Sequence, residues 1–130
     1  MKVYPLRHAG GGLLATRVAL VHTGRVARPV LAVDTGSLYT VVEPAFLVAV
    51  GLELRHPETM IDVVGIGGRL RLSCFVLERL HCFGQVLPKV QVLALNFAAI
   101  LPSIHGVLGL RDLRASQATV DIARNIVMTP

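Results

Sequence analysis

Five residues with no polar side chain, Pro29-Val30-Leu31-Ala32-Val33, run without a break into Asp34-Thr35-Gly36-Ser37. A strand this apolar is buried on both faces, which makes it the centre of a packed sheet. A carboxylate at the end of such a strand loses solvation unless donors meet it. The residues after Asp34 are suited to that task. Thr35 and Ser37 carry hydroxyls, and Gly36 lets the backbone turn back and aim its N–H groups. The same four residues can also form an ordinary Asp-Gly turn between two strands, so the motif alone leaves both readings open.

The rest of the chain is punctuated like a β protein. Leu14 to Val21 alternates and ends in turn chemistry at His22-Thr23-Gly24-Arg25. One convincing helix begins at Glu43-Pro44 and closes at Gly51 as its C′ residue. Thr59 to Val64 and Arg69 to Val76 read as strands on either side of Gly65-Ile66-Gly67-Gly68. Three glycines in four positions at such a junction describe a mobile hairpin tip, with a positive φ expected at Gly67. Val86 to Leu95 and Ile104 to Leu108 read as further strands, and Gly109 to Ala115 as a short helix. Ala118 to Ile122 and Ile126 to Met128 pair around Arg124-Asn125. The expected fold class is all-β, a small closed barrel-like sheet with one or two short helices.

With 130 residues, one domain is expected, with its core between about 14 and 128. Apolar residues make up 53% of the chain and charged residues 16%, which excludes intrinsic disorder. So few charges also leave apolar surface that a second copy would cover. The formal charge is +5, but the arginines and lysines are scattered and never cluster beyond Arg25 with Arg28 or Arg69 with Arg71. That pattern is a solvated basic surface rather than a nucleic-acid face.

Cys74 and Cys82 are too few for a disulfide framework, and with His81 they match no zinc spacing. They read as small buried hydrophobes in a reducing compartment, so no metal and no cofactor are expected and the location expected is cytoplasmic. No signal-peptide pattern is legible at the N-terminus. Val90 to Leu110 carries no formal charge, yet Gln91, Asn96, Pro102, Ser103 and His105 make it two core strands and a loop rather than a membrane span. His22, His56, His81 and His105 read as structural or surface histidines. Ser103-Ile104-His105 lacks a carboxylate to orient the imidazole, and Gly65-Ile66-Gly67-Gly68 lacks the lysine and helix of a phosphate loop.

Three features occur in one order: the apolar strand ending in Asp34-Thr35-Gly36-Ser37, the glycine hairpin at Gly65 to Gly68, and Val107-Leu108-Gly109 before a short helix. In this combination the chain resembles the retropepsin-like aspartic proteases from about Leu14 to Met128. Val33 to Ser37 resembles the active-site motif, with Thr40-Val41-Val42 as the strand after it. Gly65, Ile66, Gly67 and Gly68 resemble the flap, and Val107-Leu108-Gly109 the second apolar-apolar-glycine motif.

The resemblance implies a mechanism with two carboxylates. One is ionised and deprotonates a water; the other is protonated and polarises the peptide carbonyl. The chain has four aspartates, Asp34, Asp62, Asp112 and Asp121, and only Asp34 lies in the motif. Its partner is then Asp34 of a second copy on a two-fold axis, which makes the unit a homodimer acting on a protein or peptide. Thr35, Gly36 and Ser37 support the carboxylates. Three departures stand out. Ser37 is the pepsin-like variant, the flap tip carries Ile66 and no aromatic residue, and no counterpart of the interlocking terminal strands is legible. The alternative is a non-catalytic peptide-binding or dimerisation module of the same fold, holding an extended peptide by strand addition.

Overall fold

A computed structural model describes residues 1–97 and 101–130. In chain order its strands are β1 (Lys2–Pro5), β2 (Arg7–Ala9), β3 (Leu13–Arg17), β4 (Ala19–His22), β5 (Arg25–Ala27), β6 (Val30–Val33) and β7 (Thr40–Val42). After helix α1 (Pro44–Ala49) come β8 (Thr59–Gly65), β9 (Gly68–Cys82), β10 (Gln85–Ala94) and β11 (Gly106–Leu108). Helix α2 (Leu110–Ala115) leads to β12 (Thr119–Asp121) and β13 (Ile126–Thr129).

The main sheet runs β2-β3-β6-β11-β7-β10-β9-β4-β5, with β8 also on β9, and it curls into a half-barrel. The all-β class with two short helices expected above is therefore the observed one. Strand β6 lies inside this sheet between β3 and β11, with Val30, Leu31 and Ala32 buried. Its run of apolar residues serves both faces, as the sequence demanded. The larger core packs Leu20, Leu31, Leu77, Leu80 and Val92 around Phe75, and a smaller one joins Val41, Leu72, Cys74 and Leu93 beneath the β8–β9 hairpin.

Local chemistry explains the element ends. Pro44 opens α1 where a missing N–H costs nothing. Gly51 ends it at φ +93°, with Gly51 N–H donating to the Val48 carbonyl and Leu52 N–H to the Leu47 carbonyl. These two bonds are the Schellman closure, which satisfies carbonyls the helix leaves open. Phe83 and Gly84 both have positive φ, 51° and 68°, and join β9 to β10 by a two-residue hairpin turn between Cys82 and Gln85.

Three sequence expectations change. Leu14 to Val21 is two strands, not one. Arg17 pairs with Val30 of β6 while Ala19 pairs with His81 of β9, so the chain changes partner at Val18. The strand expected over Arg69 to Val76 runs on to Cys82, because its second half is paired on both sides, by β4 and β10. Exposed Glu78 and Arg79 mask that continuation in the sequence. The two ends of the chain also pair with each other, β1 antiparallel with β13 and Lys2 opposite Thr129, a pairing within one chain. No local turn announces this pairing, because its two halves lie at opposite ends of the chain. The left-handed tip residue of the glycine hairpin is Gly68, at φ +115°, rather than Gly67. The loop expected between the strands of Val90 to Leu110 includes residues 98–100, which lie outside the described residues.

Candidate active site

Asp34 stands at the C-terminal end of β6, half-buried. Its backbone N–H donates to the Leu108 carbonyl (3.0 Å), so the two motifs separated in sequence meet at this carboxylate. The junction is built by β11, which is parallel to β6 through Val107–Ala32 and Leu108–Val33 and antiparallel to β7 through Val107–Val41. Gly36 N–H donates to Asp34 Oδ1 at 3.0 Å, the turned-back donor that the glycine permits. Ser37 N–H donates to the Asp34 carbonyl (3.2 Å), and its hydroxyl donates to the Tyr39 carbonyl (2.7 Å). Leu110 and Arg111 at the start of α2 donate their N–H groups to the Ser37 and Leu38 carbonyls. The loop carrying Asp34 is thus strapped to α2 on one side and to β11 on the other.

Gly109 makes that strapping possible. A Cβ there would collide with the Tyr39 carbonyl group and press on Thr40 N, so only glycine admits the two backbones so close together. Behind it lies a buried polar relay. Gly109 N–H donates to Thr40 Oγ1 (3.0 Å), and the Thr40 hydroxyl donates to Asp112 Oδ2. Both Thr40 and Asp112 are buried. Burial pushes the Asp112 carboxyl above the usual carboxylate range, while the Thr40 hydroxyl and the Arg111 guanidinium draw it back down. The sequence reading set Asp112 aside for lying outside the motif. No sequence signal marks it, because in the short helix Leu110–Ala115 it stands between Arg111 and Arg114 as a surface carboxylate would.

One cleft of about 500 Å³ joins the expected residues. Asp34, Ser37, Val41 and Val107 form its floor, and Val63, Val64, Gly65, Gly67, Gly68 and Leu70 of the β8–β9 hairpin form one wall. Leu72, Leu95 and Phe97 complete an apolar lining, in which, among the described residues, Asp34 is the only carboxylate and Arg69 the only cation. Ile66 sits at the hairpin tip, fully exposed, and does not line the cleft. Leu108 is buried in the core and meets the site through its carbonyl alone. Thr35 and Gly36 are exposed, with Thr35 over a separate hollow formed by Leu110, Leu113 and Val120. A larger hollow of about 700 Å³ lies beside β10 and α2, but its one carboxylate is Asp112, already bonded to Thr40.

The other candidate groups serve the scaffold. His105 accepts from Val30 N–H through Nδ1 (2.9 Å) and packs on Phe46, pinning the start of β6. His22 Nδ1 accepts from Glu78 N–H, and exposed His56 lies with its Nε2 3.5 Å from Glu53 Oε2. Ser103 Oγ accepts from Gly10 N–H. Cys74 and Cys82 are free and buried, and burial pushes the Cys82 thiol up to about 12, so it stays protonated. Asp62 is exposed across the hairpin from Arg71, and Asp121 bonds Arg124. Among the described residues no three His, Cys, Asp or Glu side chains converge as a metal site would require, and no helix is long and apolar enough to cross a membrane.

A curled β sheet with a glycine hairpin over an Asp-Thr-Gly loop strapped to an apolar-apolar-glycine strand defines the retropepsin-like class of fold. The chain belongs to the aspartyl protease family, whose sequence pattern matches residues 19–111. Among solved structures it is similar to a retropepsin-like aspartic protease from Rickettsia conorii, with a TM-score of 0.70 and 11% identity over 96% of this chain and 87% of that one. It is also similar to the retroviral protease-like domain of Ddi1 from Leishmania major, with a TM-score of 0.59 and 16% identity over 90% and 87% of the two chains. A search of curated proteins finds no match to the sequence.

Proposed function

We propose that two copies of this chain form one metal-independent aspartic endopeptidase, acting in the cytoplasm on a protein or peptide. The observation that carries this reading is the placement of Asp34. Among the described residues it is the only carboxylate lining an apolar cleft, and it stands at the end of a buried strand in a chain of the aspartyl protease family. A single carboxylate cannot both take a proton from water and donate one to the peptide carbonyl. Two of them on a dimer axis share one proton and divide those roles. Exposed Thr35 and Gly36 are then the residues that meet the partner loop and orient the pair, with Ser37 bracing each loop from behind. Gly65, Ile66, Gly67 and Gly68 close over the substrate. Val107, Leu108 and Gly109 hold the Asp34 loop in register through the Leu108 carbonyl. Free buried thiols agree with a reducing compartment.

The test is cleavage of an acid-denatured protein across acidic and neutral pH, with and without a pepstatin-type inhibitor, for wild type and Asp34→Asn. Inhibitor-sensitive cleavage that falls by several orders of magnitude in the variant, with unchanged melting temperature, is the expected result. Full activity in Asp34→Asn removes the assignment. An inactive wild type that still binds extended peptides makes the protein a binding module instead.

A further inference from the structure

Away from the Asp34 cleft, a second concavity of about 450 Å³ lies where β1, the end of β3 and the β9–β10 turn come together. Tyr4, Arg17, Arg28 and His81 line it, and among the described residues no Asp or Glu does. These four residues are far apart in sequence, and neither arginine belongs to a charge cluster with the other. Only the tertiary pairings of β3 with β6, of β4 with β9 and of β1 with β13 set them around one space. Arg17 is held there, its guanidinium donating to the Arg28 carbonyl at 2.6 Å. The Arg28 guanidinium and the Tyr4 hydroxyl have no hydrogen-bond partner among the described residues, nor does the buried Nε2 of His81. Gly84 is part of the same construction, since a Cβ there would strike the Tyr4 hydroxyl, and that ring also packs on Phe83.

We propose that this cleft binds a phosphate group. Arginine forks are shaped for oxyanions, the Tyr4 phenol can donate a further hydrogen bond, and a cleft without carboxylates among the described residues does not repel the ligand. A tetrahedral dianion uses more of these donors than a planar carboxylate does. Filling the cleft ties the terminal strand β1 to the body of the sheet, so the ligand stabilises the folded chain by mass action. The site is independent of Asp34 and of any proteolytic activity.

Inorganic phosphate binding to the full chain, followed by phosphorus NMR and by melting temperature, tests this against acetate and chloride at matched ionic strength. A saturable rise in melting temperature with phosphate, beyond that with chloride, is expected. Arg28→Gln should weaken phosphate binding about tenfold, the loss of one charge-assisted contact. Tyr4→Phe keeps the ring on Phe83 and should also weaken it, while Arg55→Gln, an exposed arginine outside the cleft, should not. A wild type indifferent to phosphate overturns the proposal, as does equal weakening by Arg55→Gln. Acetate acting as strongly as phosphate, with both effects lost in Arg28→Gln, overturns the phosphate assignment in favour of a carboxylate.

Discussion

Replacing Thr40 by valine removes one oxygen from the centre of the relay behind the Asp34 loop and changes little else in shape. Two buried groups lose their partner together. The Gly109 N–H no longer has Thr40 Oγ1 to donate to, and the Asp112 carboxylate no longer receives the Thr40 hydroxyl. A buried polar group left unsatisfied costs about 1–3 kcal/mol, so the pair should cost about 2–6 kcal/mol, a large share of a small domain's stability. The penalty should depend on pH with a definite sign. Burial already raises Asp112, and the Thr40 hydroxyl is the larger of the two influences lowering it, so its loss raises the folded-state value further. A carboxyl that binds its proton more tightly when folded makes stability fall as pH rises through the interval between its unfolded and folded values. Urea unfolding of wild type and Thr40→Val at about pH 5 and about pH 8 should therefore show the larger difference at the higher pH. Asp112→Asn in the same background should remove that pH dependence while leaving the Gly109 N–H unsatisfied. A difference below about 0.5 kcal/mol, or one equal at both pH values, would refute the relay as a stabilising unit.

Gly109→Ala should prevent folding or cost several kcal/mol, because its Cβ meets the Tyr39 carbonyl rather than a side chain that can move; wild-type melting in this variant would contradict the close approach. Gly68→Ala meets nothing within 4 Å, so its cost is confined to the positive φ, about 1–3 kcal/mol, and the protein should stay folded while turnover falls. Unchanged turnover in a folded Gly68→Ala protein would show that hairpin conformation does not limit the reaction. If two copies complete the site, melting temperature and specific activity should both rise with protein concentration in the micromolar range; activity independent of dilution would mean that one chain suffices.

The local shapes around Asp34, the glycine hairpin and Gly109 that make up the candidate site were legible in the sequence because each answers to local chemistry. An apolar run ending in Asp34-Thr35-Gly36, glycines crowded at a hairpin and an apolar pair before Gly109 are short-range patterns, and the chain folds them as strand end, tip and close approach. Helix α1, with Pro44 at one end and Gly51 at the other, was legible for the same reason. What eluded the sequence depends on partners distant along the chain. Strand β9 continues past Val76 only because β4 and β10 flank it, and β1 exists as a strand only because β13 offers an edge. Gly68 rather than Gly67 takes the left-handed turn, a choice among flexible residues that composition leaves undecided. Asp112 looks like a surface residue of a short helix until folding sets Thr40 against it. Periodicity and turn chemistry act over a few residues and can be read one segment at a time. Strand neighbours and buried polar pairs are chosen by the whole chain at once, so only the tertiary structure decides them.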